Sequence, residues 1–211
     1  MTTVLRHTER VAAALAARIL LGDWPENHKF PADTDLCHEF SVSRTVIREA
    51  LRLLRGKGLI KAAPRRGTHV APQKNWALWD KDVLHWLAST ATSNNKYDLS
   101  ADALDMRLAL EPTLAALAAS RADDSANTAL QDALRDMQQS GGGEAEMAYL
   151  TAFYRSAGND FAIAALPLTQ YALMNRAAAP PLEAYRRLTA AIAQKDGFAA
   201  RQAAVQALLT A

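Results

Sequence analysis

Four arginines recur at intervals of three and four residues in the N-terminal third of the chain. Arg44, Arg48, Arg52 and Arg55 would lie along one side of a helix. Arginine is the commonest side-chain partner of guanine O6 and N7 in the DNA major groove. A bare arginine stripe is more often a solvated charged face, so its meaning depends on the elements that position it.

Those elements form a helix-turn-helix pattern. Beside the arginines, apolar residues recur as on the buried face of a helix. Ser43 is the expected N-cap of this helix, and a shorter helix before it begins with Asp33 or Thr34 as the cap. A three-residue turn, residues 41–43, separates the two helices, as in a helix-turn-helix. The apolar residues of the second helix are Ile47, Ala50, Leu51 and Leu54.

The segments on either side extend this pattern. A helix is expected over residues 8–21, and two short strands over 59–62 and 68–70. The strands flank a basic tip that contains Arg66 and Gly67. Such a tip can enter a narrow minor groove, where arginine is attracted by the negative potential. An ordinary exposed turn explains the tip equally well.

Charge is distributed unevenly along the chain. Residues 1–74 contain 13 Lys and Arg against 7 Asp and Glu, a net of +6, whereas residues 75–211 contain 11 against 15, a net of −4. The excess of positive charge around the arginine stripe favours a polyanionic partner for the first segment. In this setting we interpret the stripe as a DNA-contacting face.

Residues 30–72 resemble the winged helix-turn-helix of GntR-family regulators, which implies that residues 1–72 form a DNA-binding domain of this kind. The runs SRTVIREALR and RRGTHV carry this resemblance. The resemblance implies that Thr34 contacts the sugar-phosphate backbone of DNA. Ser43 can also donate a hydrogen bond to a DNA phosphate. The family usually has glycine in the turn before Phe30, where this chain has Asn27, a residue that tolerates left-handed geometry. The further DNA contacts that the resemblance implies are Arg44, Thr45, Arg48, Arg66 and Gly67.

The remainder of the chain divides into a linker and a helical domain. Residues 73–97 resemble the linker of FadR-subfamily regulators that respond to sugar acids, galactonate-type regulators in particular. Residues 98–211 are alanine-rich and have helical periodicity, which predicts an antiparallel all-α bundle. The runs RLALEP, SAGN and AAIAQKD resemble the FCD ligand-binding domain. The fold is therefore expected to be mainly α. Its helices are expected near 104–117, 126–139, 144–157, 161–177, 181–194 and 196–210.

The resemblance also implies a metal site, which this chain does not preserve. Many FCD domains bind a divalent metal through an Asp and three His. The corresponding positions hold Glu146, Leu150, Tyr185 and Ala207. A transition-metal site needs nitrogen or sulfur donors, and residues 98–211 contain no histidine or cysteine. We therefore expect no metal cofactor and interpret Glu146 as a solvated carboxylate.

A pocket for a small effector remains possible without the metal. In relatives, the position of Arg107 points into the bundle, where its guanidinium could hold a carboxylate. An ordinary pair between Arg107 and Glu111, four residues on, explains the same residue equally well. Further candidates for ligand contacts are Asn159, Arg176 and Tyr185, although an ordinary role is favoured for the last two.

Together these features predict a homodimeric regulator that binds a short inverted repeat and is released, as a repressor, by a small carboxylate such as a sugar acid. The alternative is a ligand-independent DNA-binding protein whose bundle only dimerises. An enzyme is not expected, because the second half lacks the His and Cys of a nucleophilic site. A single cysteine, no apolar run of about 20 residues and no signal peptide over residues 1–9 predict a cytoplasmic protein without membrane contact.

Overall fold

The chain forms two compact units, Met1–Asp98 and Leu99–Ala211. This computed structural model describes residues 2–63, 65–90, 97–176 and 182–210. The expected linker, residues 73–97, belongs with the first unit. None of the described helices combines the length and the apolar character needed to cross a membrane.

The first unit is built around three helices: α1 (Thr2–Leu20), α2 (Asp33–Phe40) and α3 (Arg44–Gly56). Both α1 and α2 pack against α3. The start of α1 lies six residues before the expected position, because its first turns contain only two apolar residues, Val4 and Leu5, too few to show a helical periodicity. The apolar stripe expected on α3 is buried, which leaves the arginine side of the helix exposed.

The caps of the two helix-turn-helix elements differ. Ser43 caps α3 as expected, since its Oγ accepts a hydrogen bond from Val46 N at 3.4 Å. The expectation of Asp33 or Thr34 as the cap of α2 is wrong, because the extended residue Ala32 occupies that position without a side-chain hydrogen bond. Asp33 lies one residue inside the helix, where its charge interacts favourably with the helix dipole.

Two short strands form the wing. Strand β1 (Ile60–Ala63) pairs antiparallel with β2 (Gly67–Val70), and Ile60 lies opposite Val70. The wing is therefore a tight hairpin, as the sequence predicts.

The segment before α2 pairs with the outer edge of β2. Phe30 N donates to Thr68 O and Val70 N donates to His28 O, each at 2.9 Å. Asn27 has φ +65, which confirms the left-handed geometry expected for this turn. The turn thus adds a third strand-like edge to the wing.

The linker folds back on the first unit through a 3₁₀ turn (Gln73–Asn75) and helix α4 (Lys81–Ser89). Helix α4 packs against α1 and buries Val83, Leu84 and Leu87. Trp76 lies in the core, edge to face with Tyr97 at 4.7 Å between ring centroids. The linker is therefore a packed part of the N-terminal unit.

The second unit contains seven helices within its described residues. Helix α5 packs against α7, α9, α10 and α11, and α6 packs against α7 and α10, which gives a helical bundle around α5. The helices are α5 (Ser100–Arg121), α6 (Asp124–Ser140), α7 (Gly142–Ser156), α8 (Asp160–Ala164), α9 (Leu166–Asn175), α10 (Leu182–Ala193) and α11 (Gly197–Leu209).

One helix expected in this unit is divided in two. The periodicity over residues 161–177 predicts a single helix, but α8 ends at Ala164 and α9 begins at Leu166. Pro167 lies in the first turn of α9, where its missing N–H costs nothing; inside a helix it would clash with the preceding turn. By contrast, α5 continues through the buried Pro112.

Candidate nucleic-acid interface and effector site

The N-terminal turn of α3 presents the residues expected to contact DNA. Ser43, Arg44 and Thr45 are exposed there, and the side chain of Arg48, one turn further on, is 78% exposed. The Nε of Arg48 lies 3.7 Å from Asp33 Oδ2, a loose contact that leaves most of the guanidinium accessible. Exposed guanidinium and hydroxyl groups at this end of a helix suit base edges and phosphates.

Thr34 is exposed on α2, and its hydroxyl lies 3.5 Å from Asp35 Oδ1, at the limit of a hydrogen bond. The neighbouring residue, Asp33, is the one that reaches Arg48. Helix α2 therefore contributes an acidic neighbour to the arginine stripe, which sequence spacing alone did not indicate.

The tip of the wing carries the second group of expected DNA contacts. Arg66 and Gly67 are exposed, and Gly67 has φ +88, a left-handed geometry that favours glycine. A Cβ at Gly67 would lie 3.7 Å from Cε of Lys29. The exposed Lys29 thus adds a cation beside the tip that the sequence did not reveal, because the residue is far from the wing along the chain.

In the second unit, Arg107 forms a buried ion pair with Glu111. Arg107 Nε lies 2.6 Å from Glu111 Oε1, and its Nη2 lies 3.3 Å from Oε2. Tyr154 donates to the same Oε1 at 3.0 Å and contacts Thr169 Oγ1 at 2.7 Å. The pairing at i+4 considered for Arg107 does form, but it is a core interaction and not a surface one.

Glu146 is the centre of a second buried group. It is almost fully buried, so its expected role as a solvated carboxylate is wrong. Arg176 Nη1 donates to Glu146 Oε1 at 2.6 Å, and the Arg176 Nη2 and the Tyr185 hydroxyl also donate to this carboxylate. An unpaired buried carboxylate would be costly, and Arg176, the residue that follows α9, supplies the charge that the local sequence did not show.

The ionisation of Tyr185 is suppressed in this setting. Burial and the nearby negative charge of Glu146 raise the pKa of the phenol. At neutral pH the Tyr185 hydroxyl therefore keeps its proton and donates a hydrogen bond. The Glu146 carboxylate thus accepts from a neutral phenol as well as from the charged Arg176. The phenol ring stacks edge to face with Tyr149 at 4.8 Å.

A cavity of about 250 Å³ lies beside this second group. Its walls include the start of α7 and the side chains of Glu146, Arg176 and Tyr185, the three hydrogen-bonded residues of this group. Arg107 and Asn159 are not among its lining residues. Asn159 caps α8 instead, since its Oδ1 accepts from Phe161 N at 3.0 Å.

The four positions implied for a metal do not fit one. Leu150 and Ala207 are apolar, Tyr185 is a protonated phenol, and Glu146 is already neutralised by Arg176. Within the described residues, no group of three or more His, Cys, Asp and Glu side chains could hold a metal ion. A divalent ion here would lack the donors that replace its hydration shell.

Two family models cover most of the chain. The model described as "Bacterial regulatory proteins, gntR family" matches residues 7–70, and the FCD domain model matches residues 102–210. The two matches fall within the winged helix-turn-helix unit and the helical bundle, respectively.

Relatives align with this chain over nearly their full length. The Galactonate operon transcriptional repressor of Escherichia coli is 33% identical, covering 95% of this chain and 93% of its own. An uncharacterised HTH-type transcriptional regulator of the same organism is 31% identical, over 94% and 90%. The solved structure of Lar from Listeria monocytogenes, at 15% identity and a TM-score of 0.59, covers 96% of this chain and 93% of its own, and shares the fold. The chain therefore belongs to the GntR family of bacterial transcription regulators, a non-enzymatic family that binds DNA, with an FCD domain as its second half.

Proposed function

We propose that this regulator is a repressor that binds a small carboxylate, most simply a sugar acid, in its helical domain and then leaves its operator. The choice of a sugar acid is supported by the similarity to the galactonate operon repressor along almost the whole chain. The ligand acts by binding the DNA-free conformation more tightly than the DNA-bound one.

The cavity beside Arg176 is the observation that carries this proposal. Arg176 combines a partly accessible guanidinium, 16% exposed, with a position on the wall of a cavity that is open to solvent. A planar guanidinium matches a carboxylate, and the Tyr185 hydroxyl offers a second donor. In this proposal Arg176 supplies the positive charge that a metal supplies in relatives.

Charge balance determines how a carboxylate enters. Arg176 already pairs with Glu146, so the ligand must share the guanidinium with Glu146 or displace it. Arg107 is likewise already paired with Glu111. We therefore place the ligand carboxylate at Arg176 and Tyr185, whereas Arg107 would join only by exchanging Glu111 for the ligand.

A thermal-shift screen of aldonic, uronic and hydroxy acids tests the proposal. At least one acid is expected to raise the Tm of the wild type equally with and without EDTA, and to release operator DNA in an anisotropy assay. Y185F, which keeps the ring, should weaken the response, and R176M should abolish it. R187M, which removes an exposed arginine of α10, is the matched control and should respond as the wild type does.

A second candidate function is a ligand-independent DNA-binding protein whose bundle only dimerises. It is favoured by the two ion pairs of the bundle, since the buried Arg107 and the partly accessible Arg176 are each already neutralised by a glutamate. The screen separates the two candidates. If no acid raises the Tm or releases DNA, or if R176M responds like the wild type, the effector site is wrong.

A further inference from the structure

Lys57, at the C-terminal end of α3, contacts the linker. It is the C-cap of α3, and its ammonium Nζ lies 2.6 Å from Asp80 Oδ1 and 2.7 Å from Asp82 Oδ2. The side chain is only 12% exposed, and Nζ also lies 5.7 Å from the centre of the Trp86 ring. The carboxylates of Asp80 and Asp82 are 31% and 46% exposed, so solvent screens this group in part, and its geometry rests on the shielded ammonium that contacts both of them.

One carboxylate oxygen joins the two helices. Asp80 Oδ1 accepts the Lys57 ammonium and also accepts from Asp82 N at 2.9 Å and Val83 N at 3.3 Å, which makes it the N-cap of α4. Burial of Asp80 opposes its ionisation, but the hydrogen bond from Lys57 and those from the backbone outweigh burial and lower its pKa. The group that starts α4 is thus the group that holds the end of α3.

The backbone reinforces this junction. Ala77 N donates to Lys57 O at 3.0 Å, so the linker is bound to the main chain of Lys57 as well as to its side chain. Gly58 has φ +76, and a Cβ there would lie 1.9 Å from Asn75 O. The linker therefore crosses the end of α3 with no space for a side chain between them.

We propose that Lys57, Asp80 and Asp82, named here the Lys57 clamp, make α3 and α4 move as one body. Lys57 is then a positioning residue for DNA binding, because it acts through α3 and not on the DNA. A displacement of α4 is passed directly to the arginines of α3, and DNA that holds α3 also holds α4. Since α4 stands between the wing and residues 99–211 along the chain, the clamp connects the DNA-contacting helix to the segment that continues into the FCD domain.

Amide hydrogen exchange on the full-length protein tests the clamp, with and without an operator that the wild type selects from random DNA. In the wild type, DNA binding is expected to slow exchange in both α3 and α4. In K57M it should still slow exchange in α3, but the DNA-dependent slowing in α4 should be clearly reduced, with only the part carried by the Ala77 N–Lys57 O bond and by α1 remaining. K81M removes an exposed lysine from the first turn of α4 and should behave as the wild type.

The DNA-dependent difference separates coupling from stability, because a merely structural role would change exchange in α4 equally with and without DNA. Equal DNA-dependent slowing of α4 in K57M and the wild type would overturn the proposal, as would the absence of slowing in wild-type α4. If K57M does not fold, D82N carries the same test. It keeps the Asp80 cap, removes one charge of the clamp, and should reduce the slowing in α4.

Discussion

At the level of residues, the two arginine–glutamate pairs of the bundle have different surroundings. Both side chains of the Arg107–Glu111 pair are almost fully buried, and the pair is connected through Tyr154 to Thr169. The Arg176–Glu146 pair is at the wall of a cavity and is partly accessible through its arginine. The first pair is therefore suited to stabilising the bundle and the second to meeting a ligand.

This difference predicts the effect of removing one charge. Arg107→Met should lower the free energy of unfolding by about 3–5 kcal/mol, because it leaves Glu111 buried without a cation. The double variant R107M/E111L should recover most of this loss, since a buried ion pair can often be replaced by apolar residues at little cost. Urea unfolding measures both. A double variant as unstable as R107M would mean that the pair itself is needed.

The exposed arginines make a separate prediction about DNA. Arg48→Ala should cost roughly 1–3 kcal/mol of specific binding with little effect on random DNA, because a base contact is lost. Arg66→Ala in the wing should weaken binding with less effect on base preference. Affinities for operator and random DNA at one salt concentration measure this. Equal losses on both DNAs for Arg48→Ala would contradict a base contact.

At the level of elements, the end of α3 and the turn that follows it each contain a glycine, and the two glycines have different surroundings. Gly58 has a left-handed backbone and touches Asn75, whereas a Cβ at Gly56 would meet no atom within 4 Å. The first glycine is required by the packing of the linker, and the second is not. The pair therefore provides a variant and its matched control.

Gly58→Ala should destabilise the N-terminal unit by about 1–3 kcal/mol or more. The new Cβ would overlap the Asn75 carbonyl, and alanine disfavours the left-handed backbone of this position. Gly56→Ala, at the end of α3, should be neutral or stabilise by up to about 1 kcal/mol, since alanine favours the helix. Thermal unfolding followed by circular dichroism compares the two. Equal Tm values for both variants would show that the linker is not packed against Gly58.

At the level of the whole molecule, the charge asymmetry follows the two units. The unit with the winged helix-turn-helix, residues 1–98, has 15 Lys and Arg against 10 Asp and Glu, a net of +5, and the unit with the FCD domain, residues 99–211, has 9 against 12, a net of −3. The positive charge therefore belongs to the unit that contacts a polyanion. The acidic bundle is free of that requirement and can serve dimerisation or ligand binding.

A homodimer on an inverted repeat is the corresponding prediction, because two-fold symmetry in the protein is matched by symmetry in its site. Sedimentation at micromolar concentration should show a dimer, and one half-site should bind more weakly than the full repeat. Truncating the second half-site provides the control. A monomer with equal affinity for the half-site and the full repeat would contradict the prediction.

Local patterns allowed much of the fold to be predicted. The cap at Ser43, the buried face of α3 and the left-handed Asn27 each depend on a residue and its near neighbours, so spacing and residue type were sufficient. Two predictions were wrong, the residue that caps α2 and the single helix over residues 161–177, because here the surrounding pattern was not sufficient. At Ala32 and Pro167, backbone geometry outweighed the polar and apolar patterns that surround them.

The sequence by itself determined the family and the two-part organisation, and it predicts which residues face DNA, because periodicity and motif depend only on the order of residues in the chain. Only the tertiary structure decided which charges meet. Arg176 lies 30 residues from Glu146, and Lys57 lies 23 residues from Asp80, yet each pair is in direct contact. Ion pairing depends on distances of a few ångströms and on burial, and both arise when helices distant in sequence pack together.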